Sequence, residues 1–192
     1  MDTIIQNLKH VQQRIDEACK AAGRDPKEVK LLLATKTVSP ERIQQALAAG
    51  YTLIAENKVQ ELKEKYEALK STPHTNHFIG HLQTNKIKDI LKCEVSCVES
   101  LDRYDLAEKL HQKLSQAGRE MDVFIQVNTS GEESKFGVAP EQALELTRQV
   151  AQLPTLHIRG LMTIGLFSAE EDKVRKCFQL LKRIQQEIIA LN

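Results

Sequence analysis

The sequence predicts an α/β fold in which parallel strands alternate with helices. Short apolar runs, such as residues 29–35, resemble strands whose two faces are both covered. Longer amphipathic segments separate these runs, and strand–helix alternation favours a parallel sheet with helices outside it. The first segment is helical in pattern, because its apolar residues recur at spacings of three and four: Ile4, Leu8, Val11, Ile15 and Cys19.

After this leading helix we predict six strand–helix units, and no linker-like stretch divides residues 1–192, which we expect to form a single domain. The predicted strands are 29–35, 51–55, 77–80, 94–98, 123–127 and 157–164. The predicted helices are 40–49, 59–69, 85–91, 102–117, 140–152 and 171–191.

Capping residues support several of these boundaries. Ser39 is the expected N-cap of the second helix, with Pro40 at its first position and Gly50 just past its end. Gly118 ends the helix that begins at residue 102. Two architectures fit the pattern, an open doubly wound sheet and a (β/α)₈ barrel, and a closed barrel needs eight strands where six are visible.

Composition excludes several classes of function. Lys and Arg together number 27 and Asp and Glu 26, so no net charge points to nucleic acid or to a membrane surface. No apolar run approaches the roughly 20 residues of a membrane span, and the polar N-terminus does not resemble a signal peptide. We therefore predict a cytoplasmic protein with neither nucleic acid nor membrane as partner.

The four cysteines are scattered, which is typical of reduced thiols rather than of a disulfide framework. Cys93 and Cys97 fall in the predicted strand 94–98 and its approach. Four strand steps would place them ~13 Å apart, too far to share a metal ion. We predict no metal site.

Lys36 is the residue with the clearest chemical potential, because it follows the apolar run that ends at Thr35. A buried strand that delivers an amine to its carboxyl end is how a β/α fold presents a reactive group. A neutral lysine amine condenses with aldehydes, and we expect partial burial of Lys36 to favour the neutral form. The alternative is a solvated lysine that ends a strand.

Five segments in register are similar to the pyridoxal-phosphate homeostasis protein family, whose members resemble the N-terminal barrel of alanine racemase. The segments are Leu-Ala-Thr-Lys-Thr at 33–37, Ala-Glu-Asn-Lys-Val-Gln-Glu at 55–61, His-Phe-Ile-Gly-His-Leu-Gln-Thr-Asn-Lys at 77–86, Gln-Val-Asn at 126–128 with Gly-Glu-Glu-Ser-Lys-Phe-Gly at 131–137, and Arg-Gly-Leu-Met-Thr at 159–163. The resemblance covers the whole chain and implies a TIM (β/α)₈-type barrel.

The resemblance implies pyridoxal 5′-phosphate as the cofactor, held as a Schiff base on Lys36. Asn57 would donate to the ring oxygen of the cofactor, or else cap the helix that follows it. His81 would orient a water or stack near the ring, while Gln83 fits a polar cluster at a helix start. Met162 would pack on one face of the pyridine ring, with a core methionine as the alternative.

This chain departs from the family pattern in three ways. Ala55 stands where the family usually has glycine, and Lys58 where an aromatic residue is frequent. The family pattern continues for a few tens of residues beyond Asn192, with Ser-Met-Gly-Met-Ser and Arg-Ile-Gly stretches that hold the cofactor phosphate. We expect these C-terminal strands to be absent from the chain.

Three functions follow from the resemblance. The first is a non-catalytic carrier that buffers pyridoxal phosphate, acts as a monomer and has apo enzymes as recipients of the cofactor. The second is an amino-acid racemase, which needs two bases on opposite faces of the cofactor. The tyrosines at positions 51, 66 and 104 do not supply an evident second base, so the carrier is favoured. The third is a barrel remnant that binds no cofactor.

Overall fold

A computed structural model describes residues 3–191, which fall into two compact units that divide between His77 and Phe78. Within each unit, every strand pair whose register is defined is parallel. Among the described residues, none of the helices is both long enough and apolar enough to cross a bilayer.

The first unit contains three helices and the first strands. Its helices are α1 (Thr3–Ala21), α2 (Pro40–Ala48) and α3 (Val59–Leu69), and a 3₁₀ turn lies at Pro26–Glu28. Its strands are β1 (Leu33–Ala34) and β2 (Leu53–Glu56), and β3 (Thr75–Phe78) begins in this unit and ends at its boundary.

A small apolar core holds β1, β2, α2 and α3 together. β1 pairs with β2 in parallel, with Leu33 opposite Ile54 and Ala34 opposite Ala55. Ile54, 2 % exposed, packs with Ile43 and Leu47 of α2 and with Leu69 of α3. Such burial of aliphatic side chains supplies the main favourable contribution to folding.

The second unit carries the longer strands. Its helices are α4 (Ile87–Lys92), α5 (Tyr104–Ala117), α6 (Ala143–Ala151) and α7 (Glu171–Ala190), with 3₁₀ turns at Thr84–Lys86 and Pro140–Gln142. Its strands are β4 (Cys97–Leu101), β5 (Met121–Gln126) and β6 (Leu156–Met162).

β5 is the central strand of the second unit and pairs in parallel with both β4 and β6. Its residues Val123 and Ile125 are fully buried. Beyond the strand, Val127 packs with Ala143 of α6 and Ile184 of α7. Helices therefore cover β5 as the apolar pattern of the sequence predicts.

The predicted six strands and seven helices are all present, and α3 has the predicted bounds. Ser39 takes the extended N-cap conformation before α2, but no side-chain cap bond is found there among residues 3–191. A hydrogen bond between Ser39 and the Glu41 carboxylate lowers the pKa of Glu41 instead. Gly50 and Gly118 lie at the helix ends, as predicted, and both have positive φ.

The predicted strand 94–98 was placed too early. α4 ends at a C-cap on Cys93, and Glu94 has a φ of 54°, a left-handed turn that an extended strand cannot contain. β4 therefore begins at Cys97, and the separation predicted for Cys93 and Cys97 on one strand loses its basis. Burial raises the pKa of the Cys97 thiol to about 12, which keeps it protonated.

Candidate functional site

Lys36 lies two residues past β1, and its side chain is exposed. The expected partial burial of Lys36 is therefore wrong. Exposure alternates along this segment, because Ala34 and Lys36 are exposed whereas Thr35 between them is 5 % exposed. The buried threonine anchors the segment and Lys36 projects into solvent.

Thr35 is held on three sides by residues of the first unit. Its backbone N–H donates to the Ala55 carbonyl at 2.9 Å. Its hydroxyl donates to Glu56 Oε1 at 2.7 Å, and its carbonyl accepts from Lys65 Nζ at 2.8 Å. Each polar group of this buried residue has a partner, as burial requires.

Thr37, on the other side of Lys36, has an uncommon backbone conformation. Its φ is 61°, in the left-handed region that a β-branched residue rarely adopts. Its N–H donates to Glu61 Oε2 at 2.6 Å, a charge-assisted hydrogen bond that holds the turn. Both neighbours of Lys36 are thus fixed through their main chains.

A group of three charged side chains, Glu56, Glu61 and Lys65, provides these anchors. Lys65 Nζ lies 2.7 Å from Glu56 Oε1 and 3.1 Å from Glu61 Oε2, and the three side chains are 10 % exposed for Lys65, 3 % for Glu56 and 18 % for Glu61. The hydrogen bond from Thr37 N–H, followed by that from Lys65, lowers the pKa of Glu61. We call these three residues the charged triad.

The charged triad was not predicted from the sequence. A signal for it exists in α3, where Leu62, Lys65 and Leu69 follow at spacings of three and four and are all buried. A lysine on the apolar face of a helix is unusual and requires a buried partner. That partner, Glu56, is supplied by the end of β2.

Asn57 follows β2 and is half-buried. It is not the N-cap of α3, since Lys58 occupies that position, so the alternative capping role is wrong. Its side-chain Oδ1 is buried and has no hydrogen-bond partner within residues 3–191. A buried amide oxygen of this kind is costly unless another group donates to it.

His81 lies in the second unit, past the end of β3, with 30 % of its side chain exposed. Its ring stacks on Phe136, with ring centroids 4.0 Å apart and an angle of 17° between the planes. Its Nδ1 lies 3.6 Å from Asp102 Oδ2, while Asp102 Oδ1 pairs with Arg103 Nη1 at 2.7 Å. Gln83 is exposed and precedes the 3₁₀ turn at Thr84–Lys86, as its predicted helix-start role requires.

Met162 ends β6 and its side chain is half-buried. Its carbonyl accepts from Val127 N–H at 2.9 Å, which ties the end of β6 to the residue after β5. The next residue, Thr163, shares a hydrogen bond of 2.9 Å with Thr129 through their hydroxyl groups. The ends of β5 and β6 are therefore linked.

Phe136 belongs to the loop 128–137, and Asn128 organises that loop. The Asn128 amide donates to the Glu132 carbonyl at 2.9 Å and to the Lys135 carbonyl at 3.3 Å. At Gly137, φ is 125° and a Cβ would lie 2.5 Å from Asn128 N, so only glycine fits. The loop is thus shaped by its own contacts.

The structure places the four predicted residues at strand ends in two pairs. In the first unit, Lys36 and Asn57 follow the paired strands β1 and β2. In the second unit, His81 lies past the end of β3 and Met162 is the last residue of β6. The predicted roles of all four residues stay predictions.

Comparisons with known proteins identify the family. The family model for the alanine racemase N-terminal domain matches residues 2–191. A pyridoxal phosphate homeostasis protein of Aquifex aeolicus is 41 % identical over 183 residues, which cover 95 % of this chain and 80 % of that protein.

Two solved structures are similar to the chain. A protein from Bifidobacterium adolescentis whose crystal structure is described as that of an unknown protein has a TM-score of 0.92 and 34 % identity, and the match covers all of this chain and 83 % of that one. PipY of Synechococcus elongatus, solved with PLP bound, has a TM-score of 0.76 and 28 % identity, over 91 % of this chain and 81 % of that one.

These matches confirm the predicted family and its alanine racemase N-terminal fold. They span nearly all of the described residues, including the segments that carry Lys36, Asn57, His81 and Met162. The chain belongs to the alanine racemase N-terminal domain family and, within it, to the pyridoxal phosphate homeostasis proteins.

Proposed function

We propose that this protein binds pyridoxal 5′-phosphate as a carrier in cellular homeostasis of that cofactor, with the cofactor held as a Schiff base on Lys36. One observation carries the proposal: an exposed lysine stands at the carboxyl end of β1 between two residues whose main chains are fixed. A relative in the same fold, PipY, was solved with PLP bound.

The covalent step is a condensation. The neutral Lys36 amine adds to the aldehyde carbon, and the oxygen leaves as water when the carbon–nitrogen double bond forms. The bound cofactor supplies a reactive aldehyde and a flat conjugated ring. Reversal by water returns the free aldehyde, which suits storage and release.

The residues around the first-unit strand ends fit such a group. Asn57 has a buried Oδ1 that lacks a donor among the described residues, and a bound ligand with an N–H, O–H or ordered water would satisfy it. His81 and Met162 are proposed as further contacts, the first through the face of its ring and the second through its thioether.

We propose that the protein has no turnover of its own. Racemisation requires a second base opposite the lysine, and tyrosine is one residue type that supplies it. Tyr51 and Tyr66 are half-buried and Tyr104 is exposed at the start of α5. Tyr51 precedes β2 and Tyr66 lies within α3, so neither follows the carboxyl end of a strand as Lys36 does.

The remaining parts of the proposal concern the cellular setting. We propose a cytoplasmic, single-domain monomer that exchanges the cofactor with apo forms of pyridoxal-phosphate enzymes. The balance of 27 basic and 26 acidic residues supports the absence of nucleic acid among its partners.

The test is to add pyridoxal phosphate to the purified protein, record the visible absorption, reduce with borohydride and locate the adduct by peptide mass. We expect a yellow protein that is reduced to a stable adduct on Lys36 and an uncoloured Lys36→Ala variant. A wild-type protein that stays colourless would refute cofactor binding. Inversion of L-alanine, followed by circular dichroism, would replace the carrier by the racemase.

A further inference from the structure

The charged triad has no role in the proposed function, although it reaches both neighbours of Lys36. Lys65 donates to the carbonyl of Thr35 at 2.8 Å, and Glu61 accepts from the N–H of Thr37 at 2.6 Å. A direct ion pair of 3.1 Å joins Lys65 to Glu61. The two anchors therefore belong to one connected group.

We propose that Glu61 is a positioning residue for Lys36, which fixes the chain at Thr37 so that the amine meets the aldehyde in a reactive orientation. This inference rests on the proposed function. Glu61 acts through the main chain and is not itself a catalytic residue.

Thr37 shows why the anchor is needed. Its φ of 61° is unfavourable for a branched side chain, so the turn persists only while its surroundings hold it. The Glu61 carboxylate is the hydrogen-bond acceptor of the Thr37 N–H. Without this acceptor, Thr37 is free to return to an ordinary conformation and the direction of the Lys36 side chain changes.

Glu61 is suited to this role because its own position is fixed. It lies in the first turn of α3, where a carboxylate is favoured by the helix dipole. Lys65, one turn later on the same helix, holds the carboxylate from the other side. Because 18 % of the Glu61 side chain is exposed, its removal leaves water as a substitute partner and the chain is expected to fold.

The orientation of the Lys36 amine changes the rate of condensation more than it changes the affinity of the protein for the ligand. A misplacement of about 1 Å lowers the rate of a positioned reaction by up to roughly a hundredfold. Thr35 remains anchored when Glu61 is removed, so the displacement of Lys36 is partial. We expect the Schiff base to form about tenfold more slowly in Glu61→Ala.

The experiment compares wild type, Glu61→Ala and Glu61→Gln, with Glu64→Ala as the matched control. Glu64 is exposed on the same helix and accepts a hydrogen bond from Gln60. Pyridoxal phosphate is mixed with each folded protein, samples are reduced with borohydride at successive times, and the fraction of Lys36 converted is measured by mass. Amide hydrogen exchange at Thr37 is measured in parallel without the cofactor.

The inference predicts one pattern. Glu61→Ala reacts about tenfold more slowly, and its Thr37 amide exchanges faster. Glu61→Gln recovers most of both properties, because its side-chain amide oxygen still accepts the hydrogen bond from Thr37 N–H. Glu64→Ala behaves as wild type. Equal rates in wild type and Glu61→Ala overturn the positioning role while the proposed function stands. If Glu61→Gln is slowed as much as Glu61→Ala, the positioning role is also overturned, because the negative charge of Glu61 rather than its hydrogen bond to Thr37 is then responsible. A wild-type protein that is never modified at Lys36 overturns both proposals.

Discussion

Lys36 and His81, two proposed contacts of one cofactor, are held in different ways. Lys36 has an exposed side chain and anchored neighbours, since buried charged groups bind the main chain at Thr35 and Thr37. His81 is held through its own ring, which stacks on the exposed Phe136 and faces Asp102.

Each arrangement suits the role proposed for its residue. A side chain that forms a covalent bond must stay free, so its position is best fixed from the backbone. A side chain that presents a ring face must have a fixed plane, and stacking supplies that at small energetic cost. Substitutions in each set of contacts distinguish these two ways of holding a side chain.

Lys65→Met breaks the charged triad. It leaves Glu56, which is 3 % exposed, without its cation, and loss of one partner from a buried ion pair costs about 3–5 kcal/mol of unfolding free energy. Urea denaturation measures the loss. Lys63→Met, on the exposed face of the same helix, should change stability by less than about 0.5 kcal/mol, because the contacts of an exposed charge contribute little. A similar small change in Lys65→Met would show that the triad does not stabilise the first unit.

Asp102→Ala removes the acceptor that lies between His81 and Arg103. We expect a loss of about 1–2 kcal/mol, because hydrogen bonds between charged groups contribute more than neutral ones. Asp105→Ala is the control, since Asp105 contacts the same Arg103 at 3.3 Å but is 67 % exposed, and it should cost less than about 0.5 kcal/mol. Equal losses of unfolding free energy in the two variants would show that only the contact with Arg103 contributes.

Phe136→Ala removes the ring on which His81 stacks. The expected cost is about 0.5–1 kcal/mol, with a change in the proton chemical shifts of the His81 ring as the sharper measurement. Phe167→Ala serves as the control because Phe167 is 99 % exposed. Unchanged His81 resonances in Phe136→Ala would mean that the stack is not populated in solution.

Glu61→Gln removes one source of acid sensitivity. The pKa of Glu61 is lowered in the folded chain, first by the Thr37 N–H and then by Lys65. Its contribution to stability is therefore complete above the unfolded pKa, near 4.3, and is lost as the pH falls through the lower folded pKa. Wild type should lose more stability than Glu61→Gln between about pH 5 and pH 3. Parallel stability curves for the two proteins would contradict this.

Local patterns in the sequence predicted the existence and order of the elements better than their bounds, since β1 is only Leu33–Ala34 of the predicted 29–35. The bounds of α3 follow from apolar spacing and a closing Ser-Thr-Pro, which are local signals. The start of β4 was predicted wrongly because Glu94 adopts a left-handed conformation, and no residue type in that stretch indicates such a turn. Backbone conformation of this kind is decided by packing rather than by propensity.

In the candidate site, too, the positions of residues on the elements were predictable and their side-chain contacts were not. Lys36 and Asn57 are found at the ends of adjacent strands, as the parallel arrangement predicts. The pairing of Lys65 with Glu56 and the stack of His81 on Phe136 join residues 9 and 55 positions apart, by the difference of their residue numbers. The spacing in α3 signals only that Lys65 is buried, whereas the identity of its partner and the stack on Phe136 depend on the folded arrangement of side chains.

The left-handed turn at Thr37 has a consequence for anyone who selects heat-resistant variants of this protein. Asparagine tolerates that conformation better than threonine, so Thr37→Asn is a mutation that such a selection would reward. A turn that no longer needs Glu61 to hold it would keep the geometry next to the amine even without that carboxylate. Heat resistance could then be gained at this position without slowing cofactor capture.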